Sequence, residues 1–246
     1  AAADLVEYVA DEVAATGTVP SDRAIVVERF VDEVGDWRVC VLSPFGMRVH
    51  APWAMVVQAA LAAEHAGAVD VVTADDGMVF RLPEADAPPP LERFFPAADA
   101  VERRVTDALG ATALFAARFR DNAARALLLP RRRPGRRTAL WAQRRRAADL
   151  LAVAARYPEF PIVLETYREC LRDAFDLPAL VALLRGVEAR TIRPVVADVT
   201  QPSPFATSLL FSFVASFMYE GDAPLAERRA QVLAIDHGRL RELIGE

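Results

Sequence analysis

Eleven arginines fall between Arg118 and Arg146, and Asp121 is the one acid among them. Arg118, Asn122 and Arg125 are spaced four and three apart, so a helix would carry them on one face. Arg131, Arg132, Arg133, Arg136 and Arg137 follow in a segment, Pro130–Thr138, that reads as a basic loop. Arg144–Arg146 then sit near the start of the next helix. A guanidinium is a planar fork that grips phosphate with two parallel hydrogen bonds and can stack on a base. A strip of them can displace condensed counterions along a nucleic-acid backbone. The whole chain carries a formal charge of −5, the strip +10, and the remainder therefore about −15. Segregation of that kind points to an anionic partner for the strip. The plainer alternatives are a solvated helix face, or ion pairs with the acid-rich remainder.

Aromatic rings are the second resource. Single-strand binders stack bases on them for about 1–3 kcal/mol per base. Trp53 follows His50-Ala51-Pro52 at an expected helix start, where a side chain can project from a loop edge. Trp37 follows a turn and points either into a sheet or away from it. Trp141 stands beside the arginine strip as a third option. Core packing competes with stacking for each of them.

Other chemistries find little support. The chain contains no lysine, so all 29 basic residues are arginine. A GC-rich genome can produce that bias, but its consequence is firm: the phosphate-binding P-loop requires a lysine and cannot be present. His50, His65 and His237 are dispersed, and Cys40 and Cys170 lack CxxC partners, so neither a metal nor any other cofactor is expected in this chain. Asp75-Asp76 is explained by a turn. Ser43 stands in Ser-Pro-Phe-Gly, unlike a nucleophile elbow. Glu165, Arg168, Glu169 and Arg172 alternate in sign at helical spacing, a pattern that stabilises helices.

These residues must be positioned by an α+β fold, expected as a small antiparallel sheet or barrel-like module packed with a larger helical module. Residues 1–22 read as a helix (Leu5–Ala15) and linker. Residues 23–90 read as two hairpins and one helix: Ile25–Val34 with Trp37–Leu42 across Gly35-Asp36, then Val69–Thr73 with Met78–Leu82 across Ala74–Gly77. Pro52 is expected as the first residue of the helix, which runs from Trp53 to about His65 and is ended by Gly67. Residues 91–188 show helical spacing over Ala97–Leu109, Ala111–Leu129, Ala139–Tyr157, Ile162–Phe175 and Pro178–Arg185. Residues 189–246 return to a strand at Thr191–Val199 and then to helices, Phe205–Tyr219 and two more within Pro224–Ile244.

At 246 residues and 53% hydrophobic content the chain can bury one sizeable core. No apolar run reaches the roughly 18 uncharged residues of a membrane span, Ser208–Tyr219 being too short. The acidic N-terminus lacks the basic flank of a signal peptide, so a cytoplasmic chain with two buried thiols is expected.

Several segments together resemble one family. They include Val27-Glu28-Arg29-Phe30-Val31-Asp32-Glu33, Gly35-Asp36-Trp37-Arg38-Val39, Leu42-Ser43-Pro44-Phe45-Gly46 and Val49-His50-Ala51-Pro52-Trp53-Ala54. Further on stand Leu114-Phe115-Ala116-Ala117-Arg118-Phe119-Arg120-Asp121-Asn122-Ala123, the Pro130–Thr138 segment, Leu164-Glu165-Thr166-Tyr167-Arg168-Glu169-Cys170, Pro202-Ser203-Pro204-Phe205-Ala206 and Tyr219–Pro224. In order and number they resemble the DEAD/H-associated region of large helicase-related (Lhr) proteins, superfamily 2 DNA helicases of bacteria and archaea. The resemblance implies a position after two RecA-like motor domains and a winged-helix domain. It also implies ATP-driven 3′-to-5′ translocation on single-stranded DNA, unwinding of duplexes and RNA–DNA hybrids, and a role in DNA repair. ATP and magnesium would belong to the motor segments, which this sequence does not contain. The resemblance favours Trp53 as the stacking residue. Two readings follow: a domain that grips single-stranded DNA, or a docking domain that packs on the motor and winged-helix domains without touching nucleic acid.

Overall fold

A computed structural model describes residues 2–64, 69–83, 85–129, 139–157 and 159–219, without the side chains of Leu140 and residues 212–219. The order is α1 (Ala2–Thr16), β1 (Ala24–Val31), β2 (Trp37–Leu42), α2 (Met47–Glu64), β3 (Asp70–Ala74) and β4 (Gly77–Leu82). A short 3-10 turn, Leu91–Phe94, leads to α3 (Ala98–Leu109), α4 (Ala113–Arg125), α5 (Leu140–Ala154) and α6 (Pro161–Arg168). α6 runs on as a π-helical stretch, Glu169–Ala174, before α7 (Leu177–Glu188), β5 (Arg193–Asp198) and α8 (Pro204–Tyr219). The helices expected after residue 224 lie outside the described residues, as do His65, Gly67, His237 and the Tyr219–Pro224 loop beyond its first residue.

The α+β class stands, with one correction to the sheet. Its order is β3-β4-β2-β1-β5. The first four strands pair antiparallel, but β5 runs parallel to β1, with Val26 opposite Val195. Parallel pairing needs a long crossover, and the helices from α2 to α7 all intervene between the two strands.

Both hairpins form where expected. β1 stops at Val31 because Asp32 turns the chain: its Oδ1 accepts the Val34 and Asp36 N–H groups, at 3.0 and 2.9 Å. Gly35 supplies the positive φ of 95° that this turn needs. At the other hairpin Gly77 is required by space, since a Cβ there would lie 2.4 Å from the Val41 carbonyl oxygen.

The strand sequences are apolar almost without alternation because both faces are covered. One face, with Ile25, Val27, Val39, Val41, Met78, Phe80 and Leu82, joins the main core with α2, α3 and α7. The other, with Val26, Phe30, Cys40, Leu42 and Val79, is covered by Ala206 and Leu209 of α8. Both cysteines are buried.

Helix α2 begins at Met47, earlier than Pro52 suggested, and contains that proline. A proline inside a helix leaves the carbonyl four residues back without its N–H partner. Here that carbonyl belongs to Arg48, and the Asp176 N–H donates to it at 2.9 Å. Thus α7's leading residue fills the gap in α2. Among the described residues, no helix is long and apolar enough to cross a membrane.

Candidate nucleic-acid interface

Helix α4 carries the first part of the strip. Thr112 caps it by accepting the Phe115 N–H at 3.1 Å, and Phe115, Phe119, Asn122 and Ala123 form its buried face. Arg118 is exposed and makes no ion pair among the described residues. Asn122 departs from expectation: it is 3% exposed, and its Nδ2 donates to Thr166 Oγ1 of α6 at 3.2 Å. Arg125 donates to Asn122 Oδ1 and to Glu169 of the π-helical stretch. Arg120 lies 3.5 Å from Asp121. The shared face is therefore a helix-to-helix contact at Asn122 and Arg125. Asn122 cannot reach a phosphate while it is buried there.

The loop arginines Arg131, Arg132, Arg133, Arg136 and Arg137 lie outside the described residues. Beyond them, α5 presents Arg144, Arg145 and Arg146 to solvent, again with no ion pair among the described residues.

The tryptophans divide sharply. Trp53 has no exposed surface; its Nε1–H donates to the Phe94 carbonyl at 2.6 Å and its ring packs on Phe95, centroids 5.4 Å apart. Trp53, expected to stack a base, has no ring face exposed in this structure. Trp37 is half-buried at the start of β2, opposite Val31 and Leu82 and against the main core. Trp141 is 68% exposed on α5.

A polar pair missed in the sequence joins the end of β2 to α2. Ser43 and His50 are buried, with Ser43 Oγ 2.7 Å from His50 Nε2 and His50 Nδ1 2.7 Å from the Ala74 carbonyl oxygen. A carbonyl can only accept, so Nδ1 holds the ring proton and Nε2 accepts from the Ser43 hydroxyl. Burial pushes the His50 pKa below its ordinary value. The ring is enclosed, and the pair fastens three segments together. The sequence does carry a signal for this: His50 is flanked by apolar residues at helical spacing.

Two further acids are buried. Glu28 Oε1 accepts the Ser203 N–H at 2.7 Å, and Glu12 Oε2 accepts the Phe205 N–H at 3.0 Å. They hold the start of α8 against β1 and α1. Burial raises the Glu28 pKa. Among the described residues, no three His, Cys, Asp or Glu side chains are grouped to hold a metal ion. With no lysine in the sequence, these residues do not fit the phosphate site of a P-loop ATPase, and no step of ATP chemistry is assigned to them.

Comparison with known proteins bears on the arrangement. The family model described as DEAD/H associated matches residues 19–206. The chain is 54% identical over 232 residues to a Mycolicibacterium smegmatis protein named Lhr helicase/probable uracil glycosylase, covering 94% of this chain and 15% of that protein. It is 52% identical to the Escherichia coli Lhr helicase/uracil glycosylase, again covering 94% of this chain and 15% of the relative. A Sulfolobus acidocaldarius ATP-dependent helicase Lhr-Core is 24% identical, over 99% of this chain and 28% of its own length. Among solved structures, Mycobacterium smegmatis helicase Lhr bound to ssDNA and AMP-PNP matches with a TM-score of 0.76 and 50% identity, over 83% of this chain and 26% of that one. The chain thus spans about 15% of the length of the first two relatives.

Proposed function

We propose, from the premise that this chain belongs to the DEAD/H associated family, that it is an accessory domain that grips single-stranded DNA in an Lhr-type helicase. The observation that carries this reading is the set of solvent-facing arginines Arg118, Arg144, Arg145 and Arg146, unpaired among the described residues and flanking the basic loop. Their chemistry suits phosphate without reading sequence. The similar Mycobacterium smegmatis protein, solved with single-stranded DNA, supports the same class of ligand. Trp37 is half-buried where Trp53 has no exposed surface, and it is the better placed of those two for stacking.

In this reading, ATP and magnesium act in RecA-like motor domains elsewhere in the gene product. The domain holds the tracking strand during 3′-to-5′ movement through duplexes, RNA–DNA hybrids included, in cytoplasmic DNA repair. A second reading, docking on the motor and winged-helix domains, draws support from α1. Its Leu5, Val6 and Val13 are 63%, 70% and 42% exposed and form an apolar stripe that could meet another surface.

The test is binding of labelled oligothymidylate to the full gene product over a range of salt. With Arg118, Arg131, Arg132 and Arg133 changed to glutamine, affinity should fall. The slope of log affinity against log salt should flatten by about 0.7 for each phosphate that is no longer neutralised. Unchanged affinity and slope, together with disturbed domain assembly, would establish docking instead.

A further inference from the structure

Helix α5 is two-sided in a way that core packing does not explain. Its inner side buries Ala147 and Ala154 and half-buries Leu150 and Leu151. Its outer side begins with Trp141, 68% exposed, followed at three, four and seven residues by Arg144, Arg145 and Ala148, all exposed. Those spacings put the four side chains on one face of the helix.

Three properties of this face select its occupant. The indole is a large flat apolar surface kept in water, and a lone exposed tryptophan costs solvation that a stacked ring would recover. The arginines are uncompensated: the nearest acid along the helix, Asp149, makes no ion pair among the described residues, and neither do Arg144 and Arg145. Some arginines elsewhere are paired, as with Arg81 bound to Asp36 and Asp70, or Arg168 bound to Glu165 and Asp173. Others, such as Arg104 and Arg185, are also exposed without an ion pair among the described residues; what sets Arg144 and Arg145 apart is the exposed indole one turn away. Finally, Ala148 is small and exposed on the same face, so no bulky side chain rises beyond the arginines. A protein surface would need an apolar pocket and a carboxylate placed side by side to satisfy both the indole and the charge. A flexible strand with a π-face and an adjoining phosphate satisfies both at one residue's spacing.

We propose that Trp141, Arg144 and Arg145 form a single-nucleotide clamp, in which one unpaired base stacks on Trp141 and its flanking phosphates bind Arg144 and Arg145. The clamp rests on the reading that the domain meets nucleic acid, and it moves the centre of the grip from α4 to the outer face of α5. Its ligand is a single strand of any sequence, because a duplex presents no free base face to the indole.

The experiment uses the full gene product and a fluorescent oligothymidylate, with anisotropy read at two salt concentrations. Trp141→Ala should weaken binding at both, roughly tenfold as for removal of one stacked base. Trp141→Phe should recover most of that affinity. Arg144→Gln with Arg145→Gln should flatten the salt slope by about 1.4, the value for two phosphates on a single strand. All four side chains are on the surface, so these variants should fold; a thermal melt checks this. Wild-type affinity in Trp141→Ala, with binding still weakened by Arg118→Gln, overturns the clamp and leaves the gripping function standing. Equal weakening in Trp141→Ala and Trp141→Phe also overturns it, since a ring should substitute for a ring. Intact DNA binding in every variant, Arg118→Gln included, overturns both. Intact binding with altered domain assembly in Trp141→Ala assigns the face to a protein partner and overturns the clamp.

Discussion

Single residues in this domain are sorted by what surrounds them, and Trp53 shows how. Its neighbours in sequence, Val49, Ala54, Val56 and Val57, are buried with it, whereas Trp141 stands among Gln143 and Arg144–Arg146. Composition within one helical turn therefore separates core from surface better than proximity to an expected loop. Trp53→Ala should cost about 3–5 kcal/mol, the usual range for emptying a large aromatic site. Denaturant unfolding would measure this, and DNA affinity per folded molecule should not change. His50 sets a pH dependence. Its folded pKa lies below the unfolded value of about 6.5, so the unfolded chain binds more protons between the two. The stability of the neutral ring is complete above that unfolded pKa. It is lost as pH falls through it toward the folded value. Urea midpoints from pH 8 to pH 5 should drop more steeply in the natural chain than in a His50→Gln variant; parallel curves would refute this.

Elements carry a different lesson. The helices and both hairpins were legible because spacing and turn chemistry are local: Gly35-Asp36 and Asp75-Asp76-Gly77 mark turns in any context. The sense of β5 was not legible, since pairing with β1 spans more than 160 residues and leaves no local signature. Asn122 was misplaced for a similar reason. Helical spacing puts it in line with Arg118 and Arg125, but α6 decides which part of that line is covered. The end of α4 also fell short of Leu129. Leu127 adopts φ 61°, and the Leu127 and Leu128 N–H groups donate to Ala124 and Ala123 carbonyls, a Schellman ending that usually takes glycine. Leu127→Gly should relieve a left-handed penalty of roughly 1 kcal/mol. Leu127 is 60% exposed, so little packing is given up. A raised Tm is the expected outcome; a lowered one would mean that Leu127 packs against a neighbour in the intact protein.

At the scale of the whole molecule, the last described segments close a core begun at the start. Without β5 and α8, Val26, Phe30, Cys40, Leu42 and Val79 would lose their cover. A chain ending at residue 190 should therefore be aggregation-prone and lack near-ultraviolet circular dichroism, while one ending at residue 219 should keep both cores; size-exclusion chromatography separates the outcomes. The attachment of α1 is narrower. Tyr8 Oη donates to the Pro204 carbonyl at 3.0 Å, its ring stacks on Phe205 at 5.0 Å, and Glu12 accepts the Phe205 N–H. These three links all end on the first turn of α8, one residue from the Ser203 N–H that Glu28 holds. Mechanically, α1 is a lever with a short fulcrum. A pull on its free length is delivered to the head of α8 and from there to the middle of β1, and it also reaches the sheet where α1 lies beside β5.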